Sequence, residues 1–358
     1  MKQTLGILFG GESSEYEVSC VSAANVAENV DKEKFDVVLV GITKDGKWWL
    51  YNGSTDSMRN HVWQNEKENL FPAVLSPCKA HHGLLVLNKE AKTYDILMLD
   101  VIFPVLHGKN GEDGTMQGLL ALSGIPFVGC DTCASAIAMD KAATKTICAS
   151  KNIPVVPFIS AYETEDTEAL IEKCEADFGY PMFVKPANAG SSVGISKVRS
   201  RDEFKKAIAL AFENDKKLLV EPSITGREIE VAVCGNDYPF ASVCGEIIPN
   251  SDFYDYETKY INDRSEAKCP AEMDEKTSDA IRRSAVDVYR ALGCSGLSRV
   301  DFFLTENGHY LNEINTIPGF TPISMYPTLM GAVGVSYSEL ITKLIDLAFE
   351  RSAKGGRI

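Results

Sequence analysis

The segment VDFFLTENGHYLNEIN sets three oxygen-bearing side chains close together. Asp301 lies on one apparent strand; Glu313 and Asn315 lie on the next, two residues apart. Side chains two apart on a strand share a face. The three therefore converge if the strands pair across the turn Glu306-Asn307-Gly308. A hard divalent cation beside a nucleotide takes such a sparse oxygen set and keeps positions for phosphate and water. An ordinary hairpin with exposed acids has the same pattern. The loop NAGSSVGI, residues 188–195, follows a strand ending in Lys185-Pro186. Its small residues let backbone N–H groups approach phosphate, and its serine hydroxyls add donors. No Gly-Lys-Ser/Thr follows, so it is not a P-loop. A flexible surface turn reads alike, and Lys185 and Lys141 gain meaning as phosphate cations only in that context.

Two further acids, Glu221 in LVEP and Glu228 in GREIEV, lie seven residues apart on two apparent strands. A hinge strand binds adenine edges through its backbone, and a carboxylate accepts ribose hydroxyls; two surface acids have the same spacing. FGGESSEYEVS puts Glu15 and Ser19 where a strand gives way to a helix, whose N-terminus offers partial positive charge and free N–H groups. Glu15 is either a helix cap or a crevice carboxylate for a substrate ammonium. HGKNGEDG, residues 107–114, is either a connecting loop or a strand-end site carrying His107, Lys109, Glu112 and Asp113. FYDYETKY, residues 253–260, reads as an interface loop or an active-site lid.

These groups need a scaffold. TLGILFGG, FDVVLVGIT and DILMLDVIFPVL read as strands alternating with helical patterns, which predicts a parallel sheet with ligands at the carboxyl ends of its strands. The polar stretch of residues 52–68 reads as an irregular insertion. Asp140 is placed to cap a helix from Lys141 to about residue 151, and PMFVKP, GISKV and KLLVEP read as strands. EIEVAVCG, SRVDFFL and HYLNEINT add strands, SDAIRRSAVDVYRAL and a final amphipathic segment add helices, and RSAKGGRI reads as a frayed tail. The expected units are residues 1–129, 130–221 and 222–358.

Composition bounds the function. The 358 residues carry a formal net charge of −14, which repels phosphate backbones and argues against a nucleic-acid partner. An anionic ligand then needs cations placed within the motifs. Ten scattered cysteines, with one C-x-x-C at Cys130 and Cys133 and no second pair nearby, read as reduced thiols of a cytoplasmic protein and not as a zinc site. No apolar run reaches the ~18 residues of a membrane span.

FGGESSEYEVS, HGKNGEDGTMQG, MDKAATK, VKPANAGSSVGISKV, LVEPSITGREIEVAV, FYDYETKY, LSRVDFFL and NEINTIPGFTPISMYP occur in this order over nearly the whole chain. The set resembles the ATP-grasp enzymes and, within them, the D-alanine–D-alanine ligases. The resemblance implies a three-domain α/β ATP-grasp architecture: an N-terminal parallel-sheet domain and two α+β domains clasping ATP. It implies ATP-dependent ligation of two D-alanines for peptidoglycan precursors, with magnesium as cofactor, two ions bound and manganese a substitute. It also implies a homodimer without membrane insertion. Residue by residue, Asp301, Glu313 and Asn315 match the metal ligands. Lys141, Lys185 and Lys259 match the phosphate-binding lysines, Ser192 a phosphate contact, and Glu221 and Glu228 the adenine hinge and ribose contact. Glu15 matches the binder of the first substrate's ammonium, and His107 stands beside that site. Arg299 and the Gly319 N–H match the donors to the acyl oxygen, and Ser324 a contact to the second substrate's carboxylate. Glu15, Ser191 and Tyr260 match a hydrogen-bonded set that locks the lid.

Relatives differ in using D-alanine, D-serine or D-lactate second. The Lys259-Tyr260 pair resembles ligases that do not use D-lactate. Met325 puts an apolar wall where D-serine ligases tend to be polar or basic, and an apolar wall suits a methyl group. D-alanine is the expected second substrate, with a D-alanine–D-serine ligase as the alternative.

Overall fold

The computed structural model describes residues 2–191, 193–248 and 266–355. Lys259, Tyr260, Ser192 and the FYDYETKY segment lie outside the described residues.

The first unit contains β1 (Gln3–Gly10), α1 (Tyr16–Asn29), β2 (Phe35–Ile42), β3 (Trp48–Tyr51), α2 (Thr55–Arg59), β4 (Leu70–Leu75), β5 (Gly83–Asn88), β6 (Thr93–Met98), β7 (Val101–Pro104), α3 (Thr115–Ser123) and α4 (Thr132–Met139). Its seven-stranded sheet has the order β6-β5-β4-β3-β2-β1-β7. Only β2, β1 and β7 run parallel; β2 through β6 form an antiparallel meander. The expected parallel sheet is thus confined to the half that carries α1. DILMLDVIFPVL is two strands and not one. The chain breaks at Leu99-Asp100, where the Asp100 carboxylate accepts from Thr4 N at 2.7 Å, and its halves sit at the two ends of the order. The sheet therefore coils back on itself.

The 52–68 stretch is not an irregular insertion. Ser54 caps α2, and Trp63 is fully buried against Phe9 and Tyr51, its indole donating to Tyr16 Oη at 2.8 Å. A buried tryptophan within a mostly polar stretch gives no periodicity, so the sequence pattern hides it.

The second unit contains α5 (Lys141–Ser150), β8 (Ile159–Tyr162), α6 (Thr167–Asp177), β9 (Met182–Pro186), β10 (Ser196–Val198), α7 (Arg201–Asn214) and β11 (Lys217–Pro222), with sheet order β10-β9-β11-β8. Asp140 caps α5 as its sequence predicts, accepting from Ala143 N at 3.0 Å. The third unit contains β12 (Arg227–Gly235), β13 (Phe240–Ile248), β14 (Glu266–Lys268), α8 (Glu275–Ala291), β15 (Gly296–Thr305), β16 (Gly308–Asn315), α9 (Met325–Ala332) and α10 (Tyr337–Ala353), with sheet order β14-β13-β12-β15-β16.

One apolar core runs from the first unit into the third: Leu5, Ile7 and Phe9 of β1 share it with Phe320, Tyr326 and Leu340. The expected frayed tail is helical through Ala353, and its Arg351 is buried. Arg351 donates to Phe127 O and Ser295 Oγ, both at 2.7 Å, and to Gly129 O. These bonds tie the C-terminal helix to the seam between first and third units. A lone arginine near a chain end looks like surface, which is why the sequence reading misplaced it.

Candidate active site

The hairpin β15–β16 pairs across the expected turn, with a register shift between Asp301 and Phe302 that brings the two acids to one face. Asp301 stands directly opposite Glu313, and Arg299 directly opposite Asn315. The two-residue alternation therefore puts all four on one face. Their contacts are mutual. Arg299 holds Asp301 through two parallel bonds of 2.8 and 2.7 Å and also reaches Glu230, the β12 residue opposite Asp301, at 3.2 Å. Asn315 Nδ2 donates to Asp301 Oδ2 at 3.0 Å. Burial works against the guanidinium charge, but Asp301 and Glu230 outweigh it and hold Arg299 charged. Lys141 reaches Glu313 Oε2 at 3.5 Å and donates to Ala189 O at 2.7 Å, which joins α5 to the serine-rich loop. Among the described residues no three His, Cys, Asp or Glu side chains form a ready cage for a metal. Two carboxylates opposed in register with an amide beside them still fit a hard divalent cation, which asks for few protein oxygens when phosphate supplies the rest.

Glu15 occupies the N-cap position of α1, yet its side chain makes no cap bond. It accepts instead from Ser191 Oγ, from the opposite loop. Two glycines let the loops close on this carboxylate. A Cβ at Gly108 would stand 2.5 Å from Glu15 Oε2, and one at Gly190 would stand 2.7 Å from the same atom. Ser19, the other candidate of that turn, is structural: it accepts from Gly10 N at 2.8 Å and donates to Val105 O.

His107 is buried, its Nδ1 2.9 Å from Ile317 O and its Nε2 3.3 Å from Ser22 Oγ. Burial lowers its pKa, against the pull of Glu15, so the ring is held neutral. Glu112 accepts from Gly108 N at 2.8 Å and from Ile317 N at 3.0 Å, clamping two loops together. Enclosure, and then the charge of Glu15, push its carboxyl up to about 8. Glu15, His107, Glu112, Lys141, Arg299, Glu313, Asn315 and Gly319 line one cavity of about 90 Å³.

The remaining described candidates do not line this cavity. Lys185 pairs with Glu221 at 2.6 Å, and Glu221 also pairs with the fully buried Lys145 at 2.5 Å. Glu228 is half-buried at the start of β12. Ser324 Oγ accepts from Thr321 N at 3.0 Å just beyond Gly319. Met325 does not line the cavity. It is 6% exposed and belongs to the apolar core, its methyl packed over Gly245. The expected pocket wall is a core residue because its helix α9 lies across β13 and β12.

The family model described as D-ala D-ala ligase N-terminus matches residues 4–130, and that described as D-ala D-ala ligase C-terminus matches residues 147–346. The chain belongs to the D-alanine–D-alanine ligase family. It is 48% identical to the D-alanine–D-alanine ligase of Acetivibrio thermocellus, over 98% of this chain and 96% of that protein. It is 47% identical to D-alanine–D-alanine ligase A of Escherichia coli K12, over 98% and 97%. Among solved structures, the D-Ala:D-Ser ligase of Enterococcus faecalis superposes with a TM-score of 0.88 at 43% identity, over 97% of this chain and all of that one. The three sheets are those of the three-domain ATP-grasp architecture of this family.

Two charged residues of the site escaped the sequence reading. Lys145 lies one helical turn after Lys141 in MDKAATK, and Glu230 lies two residues after Glu228 on the same strand face. Both spacings carry the signal; the sequence reading names Glu112 in its loop without a role of its own.

Proposed function

We propose that this chain joins two D-alanines to D-alanyl-D-alanine with conversion of ATP to ADP and phosphate, supplying a peptidoglycan precursor. The observation that carries this reading is the shared cavity. Glu15 from the first unit meets Lys141, Arg299 and Gly319 from the others, so an ammonium site and an anion site face one small space. The first D-alanine binds through its ammonium to Glu15. Its carboxylate oxygen attacks the γ-phosphorus, the bond to the ADP oxygen breaks, and an acyl phosphate forms. The second D-alanine, its amine deprotonated, attacks the acyl carbon, and the bond to phosphate breaks. Lys141 and Lys185 neutralise the phosphate chain, with Ser192 and Lys259 assigned to the same task. Glu221 and Glu228 take adenine and ribose. Arg299 and the Gly319 N–H donate to the acyl oxygen as charge develops there. Ser324 takes the second carboxylate, His107 stays neutral beside the first substrate, and Tyr260 completes a lid lock with Glu15 and Ser191. Positioning and charge neutralisation carry such a phosphoryl transfer. Asp301, Glu313 and Asn315 are the residues that would hold magnesium, which neutralises triphosphate charge when bound; two ions, with manganese as a substitute, suit the donor set.

Further parts of the reading are a cytoplasmic homodimer and domains at residues 1–129, 130–221 and 222–358. Among the described residues no helix is long and apolar enough to cross a membrane. An apolar face of β4 and β6 with Val74, Tyr94, Ile96 and Met98 between 43 and 54% exposed supports pairing with a second copy.

The likeness to a D-Ala:D-Ser ligase favours one second reading, D-serine as the second substrate. Offering equal D-alanine and D-serine and analysing the dipeptides separates them. D-alanyl-D-alanine is expected to dominate; mostly mixed dipeptide overturns D-alanine. Replacing Met325 by arginine is a poor test, because it would bury a guanidinium in a packed core.

A further inference from the structure

Lys145 is the fully buried lysine that the proposed chemistry does not use. It projects from α5 to Glu221 Oε1 at 2.5 Å, and Leu311 O on β16 lies 3.4 Å from its Nζ. The other oxygen of the same carboxylate holds Lys185 at 2.6 Å. The two lysines differ in freedom. Lys145 has no exposed surface, whereas Lys185 keeps 11% of its side chain open and has Asn312 Oδ1 at 3.5 Å as a second neighbour. Burial opposes the charge on Glu221, yet the two lysines outweigh it and hold its carboxyl below the usual range. Burial likewise pulls Lys145 below a lysine's ordinary value, against Glu221.

We propose that Lys145 is a positioning residue for nucleotide binding: it is the fixed counter-ion of Glu221, and so lets Lys185 leave that carboxylate for the phosphate chain. This rests on the reading above, in which Lys185 binds phosphate. A buried carboxylate stripped of every cation is strongly unfavourable. With one lysine alone, that lysine would have to stay. With two, the anchored one keeps Glu221 charged and oriented while the other turns. Exchange of partners then costs the protein little, because Lys185 trades one anion for another.

The test is ADP affinity, with magnesium present, for the full chain carrying Lys145→Met, Lys185→Met or both, with melting temperature and the KM for D-alanine alongside. Each single change is expected to weaken ADP about tenfold, and the pair to fall short of the product, since both act through one carboxylate. The KM for D-alanine should stay put in Lys145→Met. A lower melting temperature with wild-type ADP affinity would mean that Lys145 only fills the core, and overturns the inference. Full additivity overturns it too. An unchanged affinity in Lys185→Met takes down the phosphate assignment, and the hand-over with it. If Lys145→Met does not fold, Glu221→Gln is compared with Glu221→Gln/Lys145→Met. The added change must then cost ADP affinity less than about twofold, because no carboxylate remains to hold; a tenfold further loss overturns the proposal.

Discussion

The two sides of the cavity handle charge in opposite ways. On the nucleotide side three acids already face cations: Asp301 holds Arg299, Glu221 holds Lys145 and Lys185, and Glu313 faces Lys141. On the substrate side the acids hold neutral donors: Glu15 accepts from a serine hydroxyl, and Glu112 accepts from two backbone amides beside a neutral histidine. The difference is one of readiness. A cationic group can join Glu15 without displacing another cation. A triphosphate or metal on the other side must take over an existing partner. Removing one charge should therefore leave a stranded opposite charge on the nucleotide side and a mild defect on the substrate side.

The sharpest way to break this comparison is Glu313→Gln. Losing that carboxylate removes a ligand of the cation that would neutralise triphosphate and leaves Lys141 with one partner fewer. Ligation rate is expected to fall roughly 100-fold or more. Near-normal turnover at low magnesium would place the metal elsewhere. Next is Arg299→Lys, which keeps the charge and loses the fork to Asp301. The expected loss in kcat is roughly 10- to 100-fold, with little change in ATP KM. A lysine that works as well as arginine would mean that the guanidinium serves only as a counter-ion. On the substrate side, Ser191→Ala removes one hydrogen bond to a carboxylate. The KM for the first D-alanine should rise about tenfold, since such bonds are worth ~1.5–3 kcal/mol. A larger rise in the ATP KM than in the D-alanine KM would move Ser191 to the nucleotide side.

How far the sequence foretold this division depends on whether a residue's task is local. The β15–β16 hairpin was legible from its turn, but the register shift between Asp301 and Phe302 that sets Asp301 opposite Glu313 was not, while Asp140 was legible as a cap because capping is decided within three residues. Long-range tasks were not legible. Arg351 anchors to Phe127 and Gly129 over more than 220 residues of chain, and Trp63 packs on Phe9 from a polar stretch. Met325 looked like a pocket wall because of its place in PISMYP beside the family's second-substrate motif, yet α9 turns it into the core. The break at Leu99-Asp100 was hidden inside an unbroken apolar run, where only the sheet order shows two strands. Composition marked which residues wanted burial, and nothing in it said against what.

The smallest effect should come from Glu112→Gln, and it tests the substrate side by pH and not by rate. The Glu112 carboxyl is pushed up to about 8, first by enclosure and then by the charge on Glu15, against the amides of Gly108 and Ile317. An unfolded chain gives up a glutamate proton near pH ~4.3. Between those values the folded protein keeps a proton that the unfolded chain has lost. Its contribution to stability is therefore full below the lower value and is lost as pH rises through the upper one. Glutamine cannot titrate, so it removes this slope, although its amide also sacrifices one of the two bonds to the loops. Melting temperatures measured from about pH 5 to about pH 9 should show wild type ahead at the acid end, with the gap closing as pH rises. The closing rate should not exceed ~1.4 kcal/mol per pH unit, the limit for one proton. Two parallel curves would mean that Glu112 is ionised throughout. The substrate side would then be charged in the same manner as the nucleotide side, and its ease in accepting an ammonium would need another cause.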